Sequence, residues 1–100
     1  MRQPHISIPE KTIVRFCTTY HINKLSLFGS VLTDEFKNTS DVDFLVQFDK
    51  DNIPTLIDMA HMESELTKIV GRKADLRTAE DLSPYFRDQV IHQAHLLYEQ

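Results

Sequence analysis

One hundred residues, 41% of them hydrophobic, are enough for one packed core. Four prolines and two glycines argue against a low-complexity or disordered chain. Eleven basic against fifteen acidic residues, a formal net charge of −4, argue against a stand-alone nucleic-acid binder and suit a positively charged partner or a site that gathers metal cations.

The elements follow in chain order. Ser7-Ile8-Pro9-Glu10 reads as a helix start, with proline in the first turn and an acid behind it. Ile13, Phe16, Cys17 and Tyr20 recur at helical spacing, and the helix should stop near Asn23. The lone Cys17 excludes an intrachain disulfide and a Cys/His metal knuckle, and is expected to pack in this helix as a small apolar residue. Lys24 to Phe28 is a short strand. Gly29 breaks it, Ser30 can cap a short helix over Val31 to Phe36, and Lys37 to Ser40 is loop-like. Val42 to Phe48 is the strongest strand, nearly apolar throughout, as a strand covered on both faces would be.

Pro54 opens a long amphipathic helix carrying Leu56, Ile57, Ala60, Leu66, Ile69 and Val70, with Gly71 just past its end. Lys73 to Thr78 is another short strand, and Glu80 to Leu82 a turn of helix. Pro84 starts a final helix through Phe86, Val90, Ile91, Ala94, Leu97 and Tyr98. The order α-β-α-β-α-β-α implies an α+β (α/β-like) fold, a small mixed three-stranded sheet packed with about four helices, in a single domain over residues 1–100. No apolar run reaches membrane-spanning length, and residues 1–10 lack the apolar region of a signal peptide, so a cytoplasmic chain without membrane contact is expected.

Two acids interrupt the best strand. Residues i and i+2 of a strand share a face, about 6.5 Å apart. Asp41 and Asp43 therefore project together, and their like charges repel unless something compensates. A divalent cation would compensate: Mg²⁺ prefers hard oxygen ligands, often one or two carboxylates plus substrate phosphates. Asp75, centred in the "KADL" strand, is the candidate third ligand. An Asp-x-Asp pair by itself more often marks a solvated strand end or a helix cap. The upstream Gly29-Ser30 changes the balance. Gly29 permits a tight strand-to-helix turn, and Ser30 with the following N–H groups can hold an anionic phosphate. A phosphate cradle and a carboxylate cluster are complementary parts of a phosphoryl- or nucleotidyl-transfer site. The loop is not a Walker A, because no Gly-Lys-Ser/Thr follows.

These residues resemble the nucleotidyltransferase fold of the DNA polymerase β type and, more narrowly, the minimal nucleotidyltransferase family. Its pattern is Gly-Ser, a spacer of about ten residues, Asp-x-Asp, and a third Asp on a later strand. Here "LFGS", "SDVDFLV", "GRKADL" and "PYFRDQVIHQAHLLYE" extend the resemblance over residues 10–99. The resemblance implies that Asp41 and Asp43 bind two Mg²⁺ ions gripping the triphosphate of ATP. Asp75 would ligate the ion beside the acceptor hydroxyl, and Gly29 and Ser30 would hold the β and γ phosphates. In-line displacement at the α-phosphate would then release pyrophosphate. Many small members of the family act as antitoxins, adding AMP to a tyrosine hydroxyl of a HEPN ribonuclease. The implied partner is thus a HEPN toxin in a hetero-oligomer, with no direct nucleic-acid contact. The alternatives are an antitoxin that neutralises by binding alone and an enzyme that nucleotidylates a small molecule. One departure stands out: where the family often carries Arg-Gly after Gly-Ser, this chain has Thr33-Asp34.

Other side chains have blander readings. Arg87 and His92 match the Arg-x4-His spacing of HEPN ribonucleases, but those are helical bundles and this chain has strands. His92 and His95 fit a surface or partner-facing helix, and His61 a helix face. Arg72, Lys73 and Arg77 flank Asp75 as solubilising charge or as attraction for phosphate. Tyr85, Phe86, Leu97 and Tyr98 fit a core better than a base-stacking platform.

Overall fold

The computed structural model describes residues 4–100, so the first three residues of the segment tested for a leader lie outside the described residues. Helix α1 spans Glu10–Thr19, strand β1 Ile22–Phe28, β2 Val42–Phe48, helix α2 Leu56–Val70, β3 Ala74–Arg77, helix α3 Arg87–Gln93 and β4 His95–Glu99. Short 3₁₀ turns cover Gly29–Leu32 and Ala79–Asp81. The sheet order is β3-β2-β1-β4. β1 runs antiparallel to both β2 and β4, while β2 and β3 are parallel. Among the described residues no helix is long and apolar enough to cross a membrane.

Helices α1 and α2 cover one face of this sheet. Ile13, Phe16 and Cys17 of α1 and Met62 and Leu66 of α2 are buried with Leu25, Leu27, Val42, Phe44, Val46, Ala74 and Leu76. Along β2, burial alternates: Val42, Phe44 and Val46 point into the core, whereas Asp43 and Leu45 are half-buried and Gln47 is exposed. The expected two-sided cover is therefore corrected to one-sided cover, with the period of two that a half-buried strand requires.

The sheet also has a fourth strand where the sequence predicts the end of a long last helix. Helix α3 stops at Gln93, and Ala94 turns extended (φ −61°, ψ 142°). Residues 95–99 then pair with β1, Leu25 opposite Tyr98 and Leu27 opposite His95. Without β4 this flank of β1 would present unpaired backbone groups, a cost that outweighs the helical spacing of Ala94, Leu97 and Tyr98. Leu97 and Tyr98 still pack against the core, as expected, but from a strand. Tyr85 and Phe86 do not: they are 97% and 50% exposed.

Local chemistry sets the ends of α2. Thr55 and Asp58 form a reciprocal capping box, each backbone N–H donating to the other's side-chain oxygen at 3.1 Å. Pro54 lies just outside the cap instead of opening the helix. Gly71 closes it in the left-handed conformation (φ 74°), its N–H donating to the Thr67 carbonyl. Leu56 and Ile57, expected on the buried stripe, are 89% and 71% exposed, and Ala60 is exposed too. The same helix closes the β3 edge. The N–H of Leu76 donates to Glu63 Oε2 at 2.7 Å and that of Ala74 to Thr67 Oγ1 at 3.0 Å.

Candidate functional site

The register of the sheet builds the site. Asp43 of β2 lies opposite Phe28 on the β1 side and opposite Asp75 on the β3 side. Paired residues of neighbouring strands share a face about 4.8 Å apart, so Asp43 and Asp75 stand side by side on the face the helices leave open. Asp41 immediately precedes β2, exposed, and its charge reaches Asp43. Gly29, the residue after Phe28, takes φ 79°, and a β-carbon there would run into the Asp43 carboxylate. Gly29, Asp43 and Asp75 thus meet across three strands, with Asp41 at the rim.

The predicted helix over Val31 to Phe36 is corrected to the 3₁₀ turn Gly29–Leu32, with Ser30 inside it and not at its cap. Buried Val31 and Leu32 pin the turn to the core. Thr33 ends it: its N–H and its hydroxyl both donate to the Ser30 carbonyl at 2.9 Å. Threonine at this position therefore secures the end of the turn. The Asp34 side chain is fully exposed, with His5 Nε2 3.8 Å away.

Electrostatics single out Asp43. Its carboxyl is pushed up to about 6, first by burial, then by the charges of Asp75 and Asp41, with Arg77 opposing. Arg77 lies two residues beyond Asp75 on β3, hence on the same face. Its Nε and one terminal nitrogen donate to the two Asp75 oxygens at 3.2 and 3.3 Å. Carboxylates offer the hard oxygens that a divalent ion prefers, and Asp43 and Asp75 stand paired across β2 and β3 with Asp41 at the rim, so the donor chemistry fits such an ion. Among the described residues no three His, Cys, Asp or Glu side chains are gathered closely enough to hold one, and Asp75 is turned to Arg77.

A groove of about 730 Å³ that sequence reasoning missed runs along the far end of β2, lined by Leu45 and Phe48, by Ile53, Leu56 and Met59 around the start of α2, and by Ile91 of α3, among others. Leu45 is two residues from Asp43, so the groove begins beside the carboxylates. The Arg-x4-His pair takes no part. A terminal nitrogen of Arg87 donates to the carbonyls of Leu82 (3.0 Å) and Glu80 (3.4 Å), and His92 Nδ1 meets the Asp88 carbonyl. Arg72 is likewise occupied, over the Phe36 ring at 4.7 Å and donating to the Lys37 carbonyl.

A mixed sheet with this strand order, α1 and α2 on one face and its acids on the other, is of the nucleotidyltransferase class. Residues 11–100 match the family described as Polymerase beta, Nucleotidyltransferase, and the chain belongs to that family. It is 28% identical over 85 residues to the provisionally named protein adenylyltransferase MJ0435 of Methanocaldococcus jannaschii, covering 85% of this chain and 89% of the relative. Over 57 residues it is 35% identical to protein adenylyltransferase MntA of Thermococcus cleftensis, 57% of this chain and 56% of the relative. A solved structure described provisionally as a minimal nucleotidyltransferase superposes with a TM-score of 0.69 at 29% identity, over 85% of each chain. Two toxin-antitoxin structures share the fold. One, with AMP-PNP, has a TM-score of 0.73 at 20% identity, covering 93% of this chain and 75% of that one. The other, MntA-HepT, has a TM-score of 0.65 at 19% identity, covering 91% and 70%.

Proposed function

We propose that this protein is an Mg²⁺-dependent adenylyltransferase that moves AMP from ATP to a tyrosine hydroxyl of a partner HEPN ribonuclease, and so acts as its antitoxin. One observation carries the reading: Asp43 and Asp75 stand paired across β2 and β3 against the Gly29 turn. The adenylyltransferase names of the relatives and the AMP-PNP in a structure of the same fold support ATP as donor. The toxin-antitoxin complexes of that fold support a toxin partner, and the exposed apolar rim of Ile53, Leu56 and Ile57 suits a protein surface. The HEPN assignment rests on the family resemblance and on the name HepT.

In this reading Asp41, Asp43 and Asp75 hold Mg²⁺, two ions by the family pattern. When bound, the metal supplies positive charge between the carboxylates and the triphosphate. Gly29 brings the backbone close to Asp43, and with Ser30 it faces the β and γ phosphates. The acceptor hydroxyl gives up its proton to Asp75, its oxygen bonds to the α-phosphorus, the bond to the bridging oxygen breaks, and pyrophosphate leaves. The groove that begins at Leu45 gives the acceptor segment a largely apolar bed next to the acids. The proposed setting is cytoplasmic, as one hetero-oligomer with the toxin.

A second reading, an antitoxin that neutralises by binding alone, is favoured by Thr33 in place of arginine and by the hold of Arg77 on Asp75. Mass spectrometry of the toxin after incubation with this protein, ATP and Mg²⁺ separates the two. The expected result is a gain of AMP mass on a tyrosine, lost in the Asp41→Ala/Asp43→Ala variant. An unmodified but neutralised toxin establishes the second reading instead.

A further inference from the structure

Arg77 faces carboxylates from several sides. It forks onto both oxygens of Asp75, and its charge is also felt by Asp43 and Asp81. It is the cation whose charge reaches Asp43. Its Cα partner is Leu45, so it stands on the open face where the groove meets the acids. Three other basic groups are engaged elsewhere: Arg72 on Phe36 and the Lys37 carbonyl, Lys24 near Glu99 at 3.9 Å, and His5 near Asp34. The position after Gly-Ser that could have offered a cation is Thr33, whose hydroxyl is committed to the turn.

Building on the nucleotidyltransferase reading above, we propose that Arg77 is the nucleotide-triggered counter-ion of this site. Without nucleotide it holds Asp75; with nucleotide its fork transfers to the triphosphate and releases Asp75 toward the metal. Arginine presents a planar pair of donors that fits carboxylate and phosphate alike. The Arg77 and Asp75 side chains are 50% and 30% exposed, and an ion pair so open to water is weakly held. A triphosphate, carrying more charge than one carboxylate, displaces it. While the fork is closed, both Asp75 oxygens are engaged and a positive charge sits where a divalent ion would approach, so metal alone binds poorly. Arg77 is a positioning residue here, and it makes metal and nucleotide binding favour each other.

The test uses the full chain with Mn²⁺ and AMP-PNP as probes. Electron paramagnetic resonance counts free Mn²⁺ without nucleotide, and calorimetry measures AMP-PNP binding in saturating Mn²⁺. Arg77→Ala is expected to bind Mn²⁺ alone about fivefold more tightly, since a repelling charge is gone, and AMP-PNP about tenfold more weakly, since the phosphate fork is gone. Shifts of opposite sign are the signature, because damage to the fold weakens both. Arg77→Gln, close in shape, repeats the measurement should the alanine variant fail to fold, and Arg77→Lys should restore part of the nucleotide affinity. Shifts of the same sign, or none, with a wild type that binds both probes, overturn the role of Arg77 alone. A wild type that binds neither probe overturns the nucleotidyltransferase reading and this inference with it.

Discussion

Gly29 packs against Asp43 so closely that a β-carbon at position 29 would collide with the carboxylate. Gly29 also holds φ 79°, where an L side chain is strained whatever the space around it. Two independent demands thus fall on one residue, the first from the turn and the second from the acid behind it. Gly29→Ala is expected to destabilise the fold by about 1–3 kcal/mol. It should also displace Asp43 and lower adenylyl transfer. Urea unfolding gives the first quantity and an assay of the proposed AMP transfer the second. A variant with wild-type stability would show that the turn relaxes freely.

The Asp43 carboxyl titrates near 6 in the fold against a usual 3.8, raised chiefly by burial. A carboxyl with a raised folded value binds its proton more tightly folded than unfolded. Its contribution to stability is therefore full below the unfolded value and is lost as pH rises through about 6. Above that, the charged side chain costs the metal-free protein roughly 1–2 kcal/mol once solvent screening is allowed for. Asp43→Asn should raise the thermal midpoint in chelator at about pH 8 and leave it nearly unchanged at about pH 4, while abolishing transfer. An equal shift at both pH values would contradict the titration.

Legibility in the sequence follows the range of the forces involved. Strand Val42–Phe48 and the Gly71 helix end were readable, because a short apolar run bounded by polar residues and a glycine past a helical stretch are local signals, whereas the one-sided cover of that strand was not. The acids 41, 43 and 75 were readable as candidates, but the pairing of Asp43 with Asp75 depends on parallel register between segments thirty residues apart. Strand β4 was not readable: "AHLLYE" has no β-branched residue and continues the helical spacing of α3. Only the free flank of β1, seventy residues away in sequence, turns it into a strand. Exposure of Leu56 and Ile57 was hidden for a similar reason. A helix pattern shows which side is apolar, not where the sheet beneath it ends. The Arg77 fork was within reach, since Asp75 and Arg77 at i and i+2 of a strand must share a face.

Glu63 closes an edge that would otherwise invite pairing with another chain. Its Oε2 accepts from the Leu76 N–H at 2.7 Å, while Thr67 serves Ala74 one pleat away. A charged acceptor on a part-buried backbone donor is worth about 1–3 kcal/mol, most of it the cost of leaving the donor unpaired. Glu63→Ala should lose that much in urea unfolding and speed hydrogen exchange at Leu76. Glu63→Gln, which keeps an acceptor, should lose less. The alanine variant is also expected to aggregate more readily through the opened β3 edge. Unchanged exchange at Leu76 would mean that the edge is protected by something else.

Cys17 offers an internal clock for opening of the core. It sits on α1, fully buried among Ile13, Phe16 and the sheet, and burial pushes its thiol up to about 12. Thiol reagents attack the thiolate, so a thiol that is both covered and hard to deprotonate stays inert until the helix lifts away. Reaction with an aromatic disulfide reagent should therefore be negligible in the native protein near neutral pH and complete in denaturant. Its rate in intermediate urea should follow the opening equilibrium of the core, so Gly29→Ala and Glu63→Ala, if they act on global stability, should speed it in proportion to their unfolding free energies. Prompt stoichiometric labelling of the native chain would show that α1 opens independently of the sheet.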